Sequence, residues 1–198
     1  MNTVTRRQYR MVARARAAAE TGDRILDAAV EVFFEDPTAS ISLEEVAQRA
    51  GVTVQTVIRR FGGREGLLAA TAARETQKVS REREVASGDF EGAVRVLVDH
   101  YERTGDRVLR MLAEEARSPA LREIVDGGRR MHREWCQRVF APVLEGLGGV
   151  ERDRRLAQLV AVCDVYTWML LRRQCGLSRR QTELAMCELI KPMTNREH

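Results

Sequence analysis

Histidine is scarce in this chain of 198 residues: His100, His132 and His198 are the only three, and they lack the spacing of a metal site. Four cysteines, Cys136, Cys163, Cys175 and Cys187, lie far apart with no Cys-x-x-Cys pair. Structural zinc needs clustered ligands, and a secreted disulfide framework is usually denser. Reduced thiols packed as small hydrophobes are therefore expected, which suggests the cytoplasm. No apolar run approaches the roughly 18 residues of a membrane span. Arg10, Arg14 and Arg16 interrupt every apolar stretch where a secretory leader would lie. A soluble protein that engages no membrane is expected. Gly-rich phosphate loops and nucleophile elbows are missing, and the carboxylates fall on polar helix faces. Neither an enzyme nor a metal or cofactor site is predicted. No segment alternates convincingly with period two and no internal repeat is visible, so the chain reads as all-α. Lysine is rare too: 31 of the 33 basic residues are arginine, against 29 acidic residues, for a net charge of +4. That total is a weak argument for a polyanionic partner; where the charges sit matters more.

What is present centres on residues 42–68, where two short amphipathic patterns meet at a glycine. Leu43, Val46, Ala47 and Ala50 fall at i, i+3, i+4 and i+7, on one face of a helix. The Ser42-x-x-Glu45 spacing predicts a capping box, with the Ser hydroxyl accepting from the Glu45 N–H and the Glu45 carboxylate reaching back to the N–H of Ser42. Gly51 is placed to close that helix at positive φ. Val54, Val57, Ile58 and Phe61 repeat the spacing and predict a second buried face. Opposite it project Gln55, Thr56, Arg59 and Arg60, uninterrupted by any carboxylate. Two short helices joined by a glycine turn, the second with a basic and polar face, form a helix-turn-helix that can dock in the DNA major groove.

Gly51, Val52, Thr53, Thr56, Phe61, Glu65 and Leu67 stand where the TetR family of bacterial transcriptional regulators places Gly, Val, Ser or Thr, Thr, Phe, Glu and Leu. The run from Arg24 to Ala29 resembles that family's first helix, so the resemblance covers roughly residues 21–70. It departs at Ile58, where many members carry a phosphate-contacting Tyr, and at Arg64, which replaces the usual Lys. The resemblance implies a homodimer that binds double-stranded DNA, most often as a repressor, and is released by a small-molecule effector. Gln55, Thr56 and Thr53 would then read base edges, while Arg59, Arg60, Arg64 and Ser42 would hold phosphates. A palindrome read by two such helices is expected, since one is too short to specify much. The rival reading is a helical ligand-binding or protein-interaction module whose helix-turn-helix no longer engages DNA.

The expected organisation is a basic arm over residues 1–20, a three-helix helix-turn-helix domain over 21–68, and a larger helical ligand-binding and dimerisation domain over 69–198, with about nine helices in all. Arg6, Arg7 and Arg10 make the arm either a DNA contact or an idle tail. The first helix is expected from about Thr21, with room to extend back through the helix formers of Ala15–Ala19, and ends at the Asp36-Pro37-Thr38-Ala39 break. Helices follow over Arg64–Val85, Phe90–Arg103, Arg107–Arg117 and, from the Ser118-Pro119 start signal, to about Leu144. From Arg152 to Gln174 a single helix is predicted, apolar on both sides, and a last helix starts at a Ser178–Gln181 capping box. The two apolar sides predict a dimer through the last two helices, with Val162, Val165, Met186, Leu189 and Ile190 at the interface. Tyr101, Met111, Met131, Trp135, Tyr166, Trp168 and Met169 are either plain core or the lining of a ligand cavity, and the resemblance favours the cavity. Asp164, alone within the apolar helix, either pairs with a cationic ligand or an arginine of a partner subunit, or escapes to solvent at the helix edge.

Overall fold

The computed structural model describes residues 3–35 and 41–194, without the side chains of 3–7, 10 and 120. Among these it is all-α, with ten α-helices: α1 (Thr3–Glu35), α2 (Leu43–Ala50), α3 (Val54–Phe61), α4 (Arg64–Glu82), α5 (Phe90–Glu114), α6 (Pro119–Val139), α7 (Ala141–Leu144), α8 (Gly149–Val162), α9 (Val165–Met169) and α10 (Arg179–Thr194). They form two compact units, Met1–Glu75 and Thr76–His198, with α4 contributing to both. The Asp36–Ala39 break lies outside the described residues, as do the side chains of Arg6, Arg7 and Arg10.

In the first unit, α1, α2 and α3 pack Ile25, Ala28, Ala29, Val32, Val46, Ala47, Ala50 and Val57 around Ile41 and Leu67. Ser42 caps α2 by accepting from the Glu45 N–H at 3.2 Å. The other half of the expected box does not form, because the Glu45 carboxylate pairs with Arg49, which also holds Glu35 at 2.7 Å. This arginine fastens the end of α1 to α2, and its hydrogen bonds hold the Glu35 carboxyl below its ordinary range. Gly51 ends α2 at φ 64°, a left-handed conformation open to glycine without strain. Arg74 ties α4 to α1 through Asp27 at 2.8 Å and the Asp23 carbonyl at 3.1 Å. α1 itself begins at Thr3 rather than near Thr21, so the basic segment is helical. Its described side chains from Met11 to Glu20 are all exposed.

The second unit buries Val94, Leu97, Val98 and Tyr101 of α5 against Trp135, Val139, Phe140, Leu156, Leu159, Trp168, Met186 and Ile190. Three expectations are corrected here. The break at Thr104-Gly105-Asp106 is absent, and α5 runs through it. Gly105 serves the packing: a Cβ there would lie 2.4 Å from Cζ3 of Trp168, so the indole occupies the space that a side chain would take. The predicted long helix after Ser118 ends at Val139, and the short α7 carries Pro142 in its first turn. The single helix over Arg152–Gln174 is broken at Cys163. Asp164 is the N-cap of α9, its carboxylate accepting from the Tyr166 N–H at 2.9 Å, and a π turn over Leu170–Gln174 follows. Asp164 thus does not lie within a continuous helix, as the sequence suggested, but caps the start of a new one. No described helix is long and apolar enough to cross a membrane.

Candidate nucleic-acid interface

α3 is short enough that one buried residue orients it. Val57 is fully buried, and at 3.6 residues per turn Gln55 and Arg59 lie about 20° either side of the direction opposite it. Both are exposed, and no described residue pairs with the Arg59 guanidinium. Thr56 and Ile58 flank this ridge at about 80° on its two sides. Thr53 caps the helix, accepting from the Thr56 N–H at 3.2 Å, and the two threonine hydroxyls hydrogen-bond each other at 2.9 Å. One hydroxyl hydrogen of that pair is thereby kept inward, whereas the exposed Gln55 amide has no hydrogen-bond partner among the described residues.

The remaining predicted contacts are placed unequally. Arg64 is exposed at the start of α4. Arg60 is folded back, its guanidinium 5.9 Å from the Phe61 ring and lying so close to α1 that a Cβ on Gly22 would fall 2.2 Å from Nη2. The Ser42 hydroxyl, besides capping α2, lies 3.2 Å from Glu44 Oε2, which gives it an acidic neighbour. Ile58, expected on the buried face, is 39% exposed. The period-3.6 pattern had counted it with Val54, Val57 and Phe61; an eight-residue helix centred on Val57 leaves it at the rim.

The seven cavity candidates of the second unit are placed unequally. The Tyr101 hydroxyl donates to the Cys163 carbonyl at 2.9 Å, and burial pushes its phenol well up. Trp135 Nε1 donates to the Arg83 carbonyl at 2.8 Å and Trp168 Nε1 to Glu102 at 3.1 Å. Met111, Met131 and Met169 are half-buried, whereas Tyr166 is half-exposed. An open hollow of about 290 Å³ lies instead among Gln137, Ala141, Leu144, Glu145 and Arg152. Tyr101, Trp135 and Trp168 are core, satisfied at their polar ends.

The interface candidates divide in the same way. Val165, Met186 and Ile190 are buried in this chain's own core and Val162 is half-buried, so of the five only Leu189 offers a large exposed surface. Tyr166, Leu170 and Leu184 are exposed to a similar degree, roughly half, along α9, the π turn and α10. Tyr166 and Leu170 were missed because the break at Cys163-Asp164 resets the helical phase that a continuous helix would have carried forward. Cys163 and Cys136 are buried and free, but Cys175 is exposed rather than packed.

Residues 25–71 match the family described as bacterial regulatory proteins, tetR family. An uncharacterized HTH-type transcriptional regulator of Mycobacterium tuberculosis (strain CDC 1551 / Oshkosh), MT1294, is 42% identical over 85 residues, and the match covers 42% of each chain. This chain therefore spans under half the length of that relative. A transcriptional regulator from Rhodococcus sp. Rha1 superposes with a TM-score of 0.60 at 24% identity, over 87% of this chain and 95% of that one. The SmeT–triclosan complex gives a TM-score of 0.60 at 20% identity, over 87% and 90%. At these identities the two structures establish a shared all-α fold: a helix-turn-helix domain followed by a larger helical domain. The match to the tetR family of bacterial regulatory proteins covers the helix-turn-helix, within residues 25–71.

Proposed function

We propose that this chain is a DNA-binding transcriptional regulator, a repressor that binds a palindromic operator as a homodimer and leaves it when a small molecule binds the second unit. The observation that carries this reading is the exposed ridge of α3, Gln55 and Arg59, set opposite buried Val57 with no acid on the helix. Gln55 is the principal base reader, with Thr53 and Thr56 beside it; Arg59 and Arg64 hold phosphates. Arg60 and Ser42 reach phosphates only by leaving Gly22 and Glu44. Arg6, Arg7 and Arg10 extend the basic surface along a helical arm. Two copies of α3 about 34 Å apart would enter successive major grooves. Tyr166, Leu170, Leu184 and Leu189 supply the apolar surface for the second copy. That SmeT forms a complex with triclosan supports a small-molecule effector for this fold. Such an effector acts only through unequal affinity for the free and DNA-bound forms, about 2.7 kcal/mol for a hundredfold release.

Selection of bound duplexes from a random pool, followed by titration at several salt concentrations, tests the reading. Arg59→Ala should weaken binding to all duplexes alike and flatten the salt dependence, whereas Gln55→Ala should change which sequence is preferred. Binding without a salt slope would favour a protein-interaction module instead.

A further inference from the structure

Ile58 is the one large apolar side chain exposed on α3, at 39%, beside fully buried Val57. Single exposed isoleucines are ordinary on protein surfaces and carry no meaning by themselves. This one is placed by its neighbours. It follows Gln55 by three positions, the spacing at which helix side chains touch, and lies about 60° from it around the axis. The Gly62 N–H closes the helix on the Ile58 carbonyl at 2.8 Å, so Ile58 sits in the last turn with its position fixed. Any docking that brings Gln55 to a base edge brings Ile58 into the same groove.

A side chain without a polar atom can neither hold a phosphate nor exchange a hydrogen bond with a base. The major groove offers it one apolar group, the 5-methyl of thymine. Burial of Ile58 against that methyl removes two apolar surfaces from water at once, and no other base presents an equivalent. We infer that Ile58 is a specificity-determining residue that packs against the 5-methyl group of one thymine in each half-site, adjoining the base pair read by Gln55. Because a glutamine amide pairs in bidentate fashion with adenine, the expected half-site holds an adenine beside that thymine. Thr56 flanks the ridge on the opposite side and serves as the internal contrast, since its own methyl would report a different thymine.

This inference rests on the DNA-binding reading above, and its test separates the two. The full chain is titrated with its selected operator, in which each thymine is replaced singly by deoxyuridine, a change that deletes the methyl and nothing else. For the wild type, one position per half-site should lose about fourfold in affinity, the worth of one buried methyl-sized group. For Ile58→Ala, folded by circular dichroism, the same replacement should cost nothing further. Ile58→Val should retain most of the sensitivity, and Thr56→Ser should leave it intact. Equal uracil penalties in wild type and Ile58→Ala would overturn the inference alone. A chain that selects no duplex would overturn the regulator reading and this inference with it.

Discussion

The core of Met1–Glu75 is built from aliphatic side chains such as Ile25, Val46, Val57 and Leu67, whereas that of Thr76–His198 encloses Arg83, His100, His132, two thiols and two indoles. In the first, nothing charged among the described residues is buried, so every strong polar group is left for the surface, including the ridge of α3. In the second, most of the enclosed polar groups find a partner inside. His100 Nδ1 lies 3.2 Å from Glu82, and the His132 imidazole 3.8 Å from the Cys136 sulfur. A hydrogen bond from Cys163 and the nearby His132 hold the Cys136 thiol down at about 6 against its burial. Two buried atoms, Arg83 Nε and His132 Nδ1, have no hydrogen-bond partner among the described residues. Such groups cost free energy where they are unpaired and make stability depend on protonation where they titrate. One unit presents its chemistry; the other contains it.

The comparison is tested most severely by placing charge on the second unit. Val165→Glu buries a carboxylate in the core and should cost upwards of about 3 kcal/mol, enough to unfold that unit, whereas Leu189→Glu, on half-exposed surface, should leave it folded and only dissociate the proposed dimer. Circular dichroism with sedimentation separates these outcomes, and a folded Val165→Glu monomer would show that the residue faces outward after all.

A smaller effect is expected from pH. Burial and then the Arg83 charge depress His100 from its ordinary 6.5 to about 4, so the folded state keeps it neutral while the unfolded chain takes up a proton. Its contribution is complete above 6.5 and is lost as pH falls towards 4. Glu82 lies 3.2 Å from His100 Nδ1 and is itself paired with Arg103 at 3.0 Å. His100→Gln should remove on the order of 2 kcal/mol of this pH dependence, read by urea titration at pH 7 and pH 4.5. An unchanged profile would mean that the ring is solvated.

The smallest effect concerns α1. Deleting residues 1–14 should change stability by less than about 0.5 kcal/mol, because Tyr9, Met11 and Val12 are well exposed, while lowering duplex affinity at low salt. Unchanged affinity would leave the basic segment without a role on DNA.

Where structure follows from adjacent residues, it was legible. Ser42 and Ser118 cap the helices that their sequences predict, Gly51 turns where two patterns meet, and Val57 is buried. Signals that depend on distant partners were misread. Gly105 resembles a helix break until Trp168 is seen filling its place, and Asp164 resembles a stray acid until α9 begins beside it. The arginines of residues 6–16 looked like an arm through their charge, although arginine and alanine are also good helix formers. The ridge of Gln55 and Arg59 was visible from spacing alone, whereas the exposure of Ile58 and the retreat of Arg60 onto α1 required the packing of α1 against α3.

The π turn of Leu170–Gln174 bears on how chain length varies among related proteins. Its Cys175 N–H reaches back five residues to the Leu170 carbonyl at 2.8 Å, one more than an α-turn spans. A helix that takes up a single inserted residue without unwinding must widen in this way. Leu170 to Gln174 is therefore the place where a relative one residue shorter would align with a one-residue gap, its turn tightened to the α form. In such a relative the side chains beyond the gap would keep their phase with those before it, because the widened turn alone holds the extra residue. Arg172, on Glu102, and Arg173, on Asp106, lie inside that turn, so the loss of one residue would be felt at these two pairs and not in the helix on either side.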